Sequence, residues 1–257
     1  MQLVRSWQIP ESSKILEIGC GQGEMTAVLA DAVGSAGHVL AVDLGEPDYG
    51  SPLTLEQSLS RLKQTPLGAR IDYRLNYDIL EPTNSFAVDT FDCVVLAHCS
   101  WYFDSIDVLR ENLLRIKPWA TRLCFSEWDM EARDIDQVAH MLAVMIQGQV
   151  GVFNPARGNN VRTPISKARF KELLLETGWR ITSEDTVDTN GMQDAAWEIQ
   201  NCLVTSVTES GRLDLPPKFQ EFIKSQADIL TMIAGKNQNK PLPSYAITAE
   251  RDNTELR

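Results

Sequence analysis

The sequence predicts an α/β fold built on a doubly wound sheet, and two features indicate this class. From Lys14 onward, short runs rich in β-branched residues alternate with segments whose apolar residues recur at helical spacing. The first predicted strand runs directly into a glycine-rich turn at residues 19–23, and a helical segment follows the turn. With 257 residues, 43% of them hydrophobic, the chain is long enough to bury one large core around such a sheet.

The first half of the chain contains three predicted strands separated by two helices. The strands are predicted at 14–18, 38–42 and 71–75. The first helix follows the glycine turn and stops at Gly34 or Gly37. For the second helix, Ser51 is expected as the N-cap residue and Pro52 as the first helical residue.

The second half begins with a nearly all-apolar run from Phe91 to Ala97, which is typical of a central strand covered on both faces. Ser105 is positioned to cap the next helix, which stops before Pro118. A fifth strand is predicted at 121–126, a helix at 166–177, the start of a sixth strand at 179–182 and a last strand at 244–249.

The alternation of strands and helices is interrupted after strand five and again after strand six. Helical patterns at 134–149, 194–209 and 216–234 occupy these interruptions, and no repeat, low-complexity tract or clean linker divides the chain. We therefore expect a single domain over residues 1–257, with cap insertions at about 130–165 and 188–240.

Composition argues against several classes of function. Acidic residues outnumber basic ones by 35 to 24, the formal net charge is -11, and no Lys/Arg run is present, which disfavours nucleic-acid binding. The five cysteines are dispersed without a CxxC pair, so neither a disulfide framework nor a zinc site is expected, and a reducing cytoplasm fits best. No apolar run approaches the ~20 residues of a membrane helix.

The glycine turn is the motif that carries chemistry. Glu17-Ile18-Gly19-Cys20-Gly21-Gln22-Gly23 needs glycines because the backbone turns sharply with positive φ and because a Cβ would block a ligand lying against the chain. The dinucleotide fingerprint places its third glycine three residues after the second, whereas Gly23 comes after two and Glu24 occupies the expected position. No Gly-Lys-Ser/Thr follows, which also excludes a P-loop.

With this loop, the sequence resembles the class I S-adenosylmethionine-dependent methyltransferases, in particular the small-molecule methyltransferase domains. The match continues in register through Asp43 at the end of strand two, Asp78-Ile79 beyond strand three and Phe91-Asp92-Cys93-Val94-Val95 in strand four. The usual glycine pair after Lys117-Pro118 is replaced by Trp119-Ala120. The resemblance implies a Rossmann-like methyltransferase sheet of seven strands with helical cap insertions after strands five and six.

The resemblance also implies S-adenosyl-L-methionine as the cofactor. Physical chemistry agrees, because one carboxylate at the end of strand two can accept both hydroxyl donors of a ribose diol, and Asp78 can accept from an adenine amino group. Ligands of such folds lie at the carboxyl ends of the strands where the winding reverses, here between strands one and four. The expected cofactor-binding residues are Glu17, Gly19, Cys20, Gly21, Gly23, Asp43, Leu44, Asp78, Ile79 and Ala97.

The acceptor pocket is expected beside strands four and five. Methyl transfer is an in-line displacement, so orientation and exclusion of water supply much of the rate. His98 is the candidate general base because imidazole titrates near neutral pH; its alternative role is simple packing at the strand end. Glu127 and Asp129 could hold an acceptor group or serve only as strand-end caps. The candidate acceptor-binding residues, for which core packing is the alternative, are Trp101, Tyr102, Trp128 and His140.

The sequence thus predicts a cytoplasmic enzyme that methylates a small molecule, without nucleic-acid, membrane or metal partners and with a homodimer left open. Two alternatives remain: a protein methyltransferase, and a methyltransferase-like protein that binds the cofactor without transferring methyl. We also expect residues 1–10 to be the remnant of a cofactor cover, with Trp7 packed beside the glycine loop. Three alternatives follow from this: an open site, a site closed by a partner, or a shortened gene model.

Overall fold

The protein is described by a computed structural model that covers residues 1–153 and 161–252. Residues 154–160, inside the first predicted cap insertion, lie outside the described part of the chain. Helices and strands alternate in the order α1 Gln2–Trp7, β1 Lys14–Ile18, α2 Glu24–Ala32, β2 His38–Val42, α3 Leu55–Lys63, β3 Ile71–Arg74, β4 Phe91–Ala97, α4 Ile106–Ile116, β5 Ala120–Trp128, α5 Val138–Gly151, α6 Lys167–Glu176, β6 Trp179–Val187, α7 Asp194–Asn201, α8 Val207–Ser210, α9 Pro217–Ala234 and β7 Ser244–Arg251.

The strands form one seven-stranded sheet in the order β3-β2-β1-β4-β5-β7-β6. Strands β1 to β5 pair in parallel, whereas β7 runs antiparallel to both β5 and β6 and lies between them. The winding direction reverses between β1 and β4, so the carboxyl ends of these two strands border a crevice. The predicted doubly wound, Rossmann-like sheet of seven strands is confirmed.

The central strand β4 shows why both faces of the sheet are covered. Its side chains alternate, so Val94 and Leu96 belong to the core beneath α4 and α6, whereas Cys93 and Val95 belong to the core beneath α1 and α2. All four side chains are no more than 1% exposed.

The predicted start of α3 was wrong. Its N-cap is Thr54, whose hydroxyl oxygen accepts from the Gln57 N–H at 3.2 Å while the Gln57 side chain accepts from the Thr54 N–H, forming a capping box. Ser51 and Pro52 precede the helix and do not cap it. Two of the predicted strands are also longer than expected, since β5 extends to Trp128 and β7 to Arg251; β6, of which only the start was predicted, extends to Val187.

The amino-terminal helix α1 packs on the face of the sheet, and the predicted position of Trp7 beside the glycine loop was wrong. Trp7 is fully buried with Leu3 and Val4 in the core that α2 shares, and its indole N–H donates to the Phe125 carbonyl at 3.3 Å. The guanidinium of Arg122, which lies on β5 like Phe125, donates to the Trp7 carbonyl. This helix therefore seals the middle of the sheet.

Helices from the two interruptions form a smaller core of their own. Buried residues of α5 pack with residues of α7, α9 and the single π-helical turn Cys202–Ser206. Another side of α5 contributes Val144 to the main core, so α5 joins this helical layer to the sheet. In the part of the chain that the structure describes, no helix has both the length and the apolarity needed to cross a bilayer.

Candidate active site

Two glycines of the loop after β1 differ in the space around their backbone. Gly19 has φ +72°, and a Cβ there would lie 2.6 Å from the Cβ of Cys99, so glycine is required for the loop to pack against the end of β4. Gly21 has φ +53°, yet a Cβ there would meet nothing within 4 Å. The backbone at Gly21 thus borders free space, as expected where a ligand lies against the chain.

Glu17 lies behind this loop and is buried on the sheet. It is 1% exposed, and its Oε2 accepts from the Thr26 hydroxyl at 2.6 Å. Burial, with smaller contributions from the charges of Asp43 and Glu24, raises the pKa of Glu17 from 4.5 to about 8 despite that hydrogen bond. In this structure the Glu17 side chain therefore supports the loop from beneath.

Asp43, at the end of β2, is the carboxylate that links the glycine loop to the turn after β2. Its Oδ2 accepts from the Gly21 N–H at 2.8 Å, and its Oδ1 accepts from the Gly45 N–H at 2.7 Å. Since each carboxylate oxygen can accept two hydrogen bonds, Asp43 keeps capacity for two more donors. A ribose diol supplies two such donors, so this residue and the open side of Gly21 fit the expected cofactor.

The other predicted cofactor-binding residues lie in different environments. Leu44 is 48% exposed beside Asp43, whereas Ile79 is 3% exposed and packs into the main core. The Asp78 Oδ1 accepts from the Leu80 N–H at 2.8 Å, which fixes the carboxylate at the turn beyond β3. Cys20 is buried in the loop, and burial raises the pKa of its thiol. Ala97 is half-buried at the end of β4.

His98 follows β4 in a left-handed conformation, with φ +51°. A non-glycine residue in this region is strained and is held by its surroundings. The His98 N–H donates to the Ser126 carbonyl at 2.9 Å, which extends the β4–β5 pairing by one residue. Its imidazole Nε2 lies 3.1 Å from the Ser244 hydroxyl, and its Nδ1 lies 3.5 Å from the Glu127 Oε1.

Glu127, the second-last residue of β5, is a buried carboxylate that accepts three hydrogen bonds. It is 1% exposed. Its Oε2 accepts from both the N–H and the hydroxyl of Ser100, at 3.1 and 2.7 Å, and its Oε1 accepts from the Trp128 N–H at 3.0 Å. Three donors and no acceptor around a carboxyl group are the pattern of the ionised form, so Glu127 brings a negative charge beside His98.

Trp128 lies between the two histidines that the sequence singled out. Its ring centroid is 4.6 Å from that of His98 and 5.3 Å from that of His140 on α5. His140 is fully buried, and its Nδ1 accepts from the Leu242 N–H at 3.0 Å, so the neutral ring carries its proton on Nε2. Burial, and secondarily the charge of His98, lower the pKa of His140 to about 4.

Trp101 and Tyr102 belong to the short 3-10 helix Ser100–Tyr102 that follows His98 and Cys99. Trp101 is 4% exposed, and its carbonyl accepts from the Arg162 and Thr163 N–H groups, which ties the cap segment to the end of β4. Tyr102 is 46% exposed. The structure therefore gathers His98, Trp128 and His140 closely, with Trp101 and Tyr102 on the adjoining turn.

Sequence reasoning missed Ser244, the hydroxyl group beside His98. Ser244 begins β7 and is 1% exposed, and its hydroxyl also lies within donating distance of the Glu127 carbonyl, at 3.2 Å. It meets His98 only because β7 pairs antiparallel with β5, with Ser244 opposite Trp128. A lone serine after prolines gave no local signal of this placement. Among the described residues, no group of three or more His, Cys, Asp or Glu side chains is placed to hold a metal ion.

Comparison with known proteins agrees with this fold and crevice. The family model described as a methyltransferase domain matches residues 15–118, which contain β1 to β4 and the glycine loop. The fold and the crevice thus define a methyltransferase domain of the Rossmann-like type.

Individual relatives extend the comparison over nearly the whole chain. The structure of a cyclopropane-fatty-acyl-phospholipid synthase-like protein from Lactobacillus casei is 32% identical and superposes with a TM-score of 0.87, covering 97% of this chain and 88% of that one. The methyltransferase phomM′ of Diaporthe leptostromiformis is 32% identical over 216 residues, 69% of this chain; the match spans 55% of that longer relative. The chain belongs to the class I S-adenosylmethionine-dependent methyltransferase family.

A more distant structure shares the fold alone. This is the 1,6-didemethyltoxoflavin-N1-methyltransferase of Burkholderia thailandensis, with bound 1,6-didemethyltoxoflavin and S-adenosylhomocysteine. It is 16% identical and covers 98% of this chain and 76% of its own, with a TM-score of 0.53.

Proposed function

We propose that this chain binds S-adenosylmethionine in the crevice between β1 and β4 and transfers its methyl group to a small-molecule acceptor. The single observation that carries the cofactor assignment is the unit formed by Asp43 and the glycine loop. Asp43 is held by the N–H groups of Gly21 and Gly45 and keeps two acceptor positions, while the backbone at Gly21 faces free space. Family membership supports the same cofactor.

When bound, the cofactor supplies an electrophilic methyl group on a cationic sulfonium. The chain's own contribution is to hold this cation and the acceptor in line and to exclude water. Leu44, Asp78, Ile79 and Ala97 would surround the cofactor in this proposal, and Glu17, Gly19, Cys20 and Gly23 would shape the loop beneath it. The buried charge of Glu127 and the formal net charge of -11 favour a cation in the crevice.

The acceptor site in this proposal lies between the ends of β4 and β5 and helix α5. His98, Trp128 and His140 meet there, and Trp101 and Tyr102 adjoin them. Helix α5 covers this side and is itself packed under α7 and α9. Such a covered, partly aromatic site favours a small acceptor over a protein side chain presented on a large surface.

We further propose that the sheet and the helical layer form a single domain. We also propose that the protein works in the cytoplasm, where its buried free cysteines stay reduced.

Calorimetric titration tests the cofactor assignment. Wild-type protein is expected to bind both S-adenosylmethionine and S-adenosylhomocysteine, and Asp43→Ala is expected to lose at least about tenfold in affinity, because charge-assisted hydrogen bonds contribute about 1.5–3 kcal/mol. Asp72→Ala is the matched control, since Asp72, which lies on β3, pairs with Lys63 and His38 rather than with the glycine loop. Absence of binding, or equal affinity in the Asp43 variant, would refute the assignment.

Incubation with isotopically labelled cofactor and a panel of metabolites tests the acceptor class. Label in a small molecule supports the proposal. Label in precipitated protein would instead identify a protein methyltransferase, and tight cofactor binding with no transfer to either would identify a cofactor-binding protein without transferase activity.

A further inference from the structure

The imidazole of His98 has two nitrogens in very different surroundings. Nδ1 is buried without a hydrogen-bond partner in the described chain, and the closest charged group is the Glu127 carboxylate at 3.5 Å. Nε2 lies 3.1 Å from the Ser244 hydroxyl, and the whole side chain is 21% exposed. Nδ1 therefore cannot exchange a proton with a molecule outside the core.

The surroundings of Nδ1 require a proton on that atom. A bare Nδ1 would direct its lone pair toward the ionised, buried Glu127, and two acceptors facing each other in a low-dielectric site repel. A proton on Nδ1 turns this contact into an attractive one. The neutral His98 ring therefore carries its proton on Nδ1, and its lone pair is on Nε2.

Ser244 satisfies Nε2 in both the neutral and the charged form of the ring. When Nε2 is bare, the Ser244 hydroxyl can donate to it; when Nε2 carries a proton, the hydroxyl oxygen can accept that proton and turn its own hydrogen to the Glu127 carbonyl, 3.2 Å away. Rotation of one hydroxyl thus leaves no buried polar atom unpaired in either state. This arrangement lets His98 gain and lose a proton without the cost of an unsatisfied group.

We propose that Glu127 and Ser244 are positioning residues which hold His98 with its proton on Nδ1, so that Nε2 takes a proton from an acceptor methylated at an O–H or N–H group. The inference rests on the proposed function for the acceptor, whereas the protonation pattern of His98 stands independently. The acceptor class follows because this machinery serves only a substrate whose nucleophilic atom carries a removable proton.

The proton balance of the step is simple. The Ser244 hydroxyl first turns its hydrogen from Nε2 to the Glu127 carbonyl, which frees the Nε2 lone pair. The O–H or N–H bond of the acceptor then breaks, and the proton bonds to Nε2 of His98. The electron pair stays on the acceptor atom, and as that atom bonds to the methyl carbon, the carbon–sulfur bond would break and leave its electron pair on sulfur. The resulting imidazolium is stabilised by Glu127. The groups that face His98 are Glu127 from β5, Ser244 from β7, Trp128, and the buried His140 from α5, which stays neutral because burial lowers its pKa to about 4.

Two-bond proton–nitrogen NMR correlation on protein labelled with 15N-histidine tests the proposal directly. The chain has three histidines, and the spectrum of His98→Gln assigns the His98 signals. Neutral His98 is expected to carry its proton on Nδ1, whereas His140 provides an internal reference with the opposite form because its Nδ1 accepts from Leu242. A neutral His98 that carries its proton on Nε2 would overturn the proposal.

Two variants separate the roles of the partners. Glu127→Gln is expected to move His98 toward the Nε2–H form, because the carboxylate that faces the Nδ1 proton at 3.5 Å is removed. Ser244→Ala is expected to keep the Nδ1–H form, since Glu127 remains. Glu184→Gln, a surface carboxylate paired with Lys171, is the matched control with an unchanged spectrum. If Glu127→Gln fails to fold, the wild-type and Ser244→Ala spectra still decide the question; an Nε2–H form in either contradicts the proposal.

Kinetics with an identified acceptor complete the test. His98→Gln is expected to lower kcat by about 10²- to 10⁴-fold, the usual contribution of general base catalysis. In Glu127→Gln, kcat should fall together with the NMR-measured fraction of His98 that carries its proton on Nδ1. Undiminished kcat in His98→Gln, or methylation confined to an acceptor atom without a proton, would refute the base role. Failure of cofactor binding would refute the proposed function and leave the NMR result standing.

Discussion

Glu17 offers a quantitative test of the loop architecture through the pH dependence of stability. Its carboxyl group is 1% exposed, and burial raises its pKa from 4.5 to about 8 in the folded protein. At a pH between its unfolded and its folded pKa, such an acid carries a proton in the folded protein but not in the unfolded chain. The stability linked to that proton is complete below pH 4.5 and is lost as the pH rises through 8.

The size of the effect follows from the same two values. Each pH unit between them costs about 1.36 kcal/mol, so wild-type protein loses about 3 kcal/mol from pH 4.5 to 7 and about 5 kcal/mol by pH 8. Glu17→Gln places a neutral side chain of the same shape beside Thr26 and removes this term. The free energy of unfolding of the variant minus that of the wild type should therefore increase with pH by about these amounts.

Urea unfolding of both proteins at pH 5, 6, 7 and 8 measures this difference. Glu111→Gln is the control, because Glu111 is exposed on α4, is not among the charges that raise the pKa of Glu17, and should leave the wild-type pH dependence unchanged. If the stability curves of wild type and Glu17→Gln were parallel from pH 5 to 8, Glu17 would already be ionised in the folded protein. Its assignment as a buried acid with a raised pKa would then be wrong.

Two further predictions concern packing at the loop and beside the cap. Gly19→Ala, whose Cβ would lie 2.6 Å from that of Cys99, should lose about 2–3 kcal/mol of stability in thermal unfolding. Gly21→Ala should lose only about 1 kcal/mol but bind S-adenosylmethionine at least about tenfold more weakly by calorimetry; equal behaviour of the two variants would contradict the placement of the cofactor. Lys167→Met should cost about 1–3 kcal/mol because it removes the cation 2.7 Å from the buried carboxylate of Asp129 and leaves the more distant Arg133, at 3.7 Å, to pair with it. Asp129→Asn in the same chain should restore much of this stability; no rescue in urea unfolding would count against a charge penalty.

The sheet was predictable wherever local pattern and tertiary packing agree. The fourth strand shows this, since a nearly all-apolar run has only one stable place, the middle of a sheet covered on both faces, and β4 has the predicted bounds Phe91–Ala97. The start of α3 was not predictable to the residue, because Ser51 and Thr54 are both good caps by composition. Only the reciprocal hydrogen bonds with Gln57 distinguish them.

The candidate site was predictable in part, for a similar reason. Asp43 and the glycine loop are close in sequence and follow consecutive strands, so their meeting is dictated by parallel pairing of β1 and β2. Ser244 is distant from His98, and its position depends on the antiparallel register of β7 against β5, which no local pattern encodes. Trp7 was misplaced for the same reason, since its choice of sheet face is a tertiary one.

The place of β7 between β5 and β6 has a consequence for synthesis. A nascent chain that has finished β6 still lacks the strand that joins β6 to the sheet, so the edge of β5 stays unpaired while the helices α7 to α9 are being made. Unpaired edges are where incompletely folded chains associate with one another. Translation speed and chaperone capture over this last segment therefore bear on yield, and Ser244 reaches His98 only when that strand is inserted.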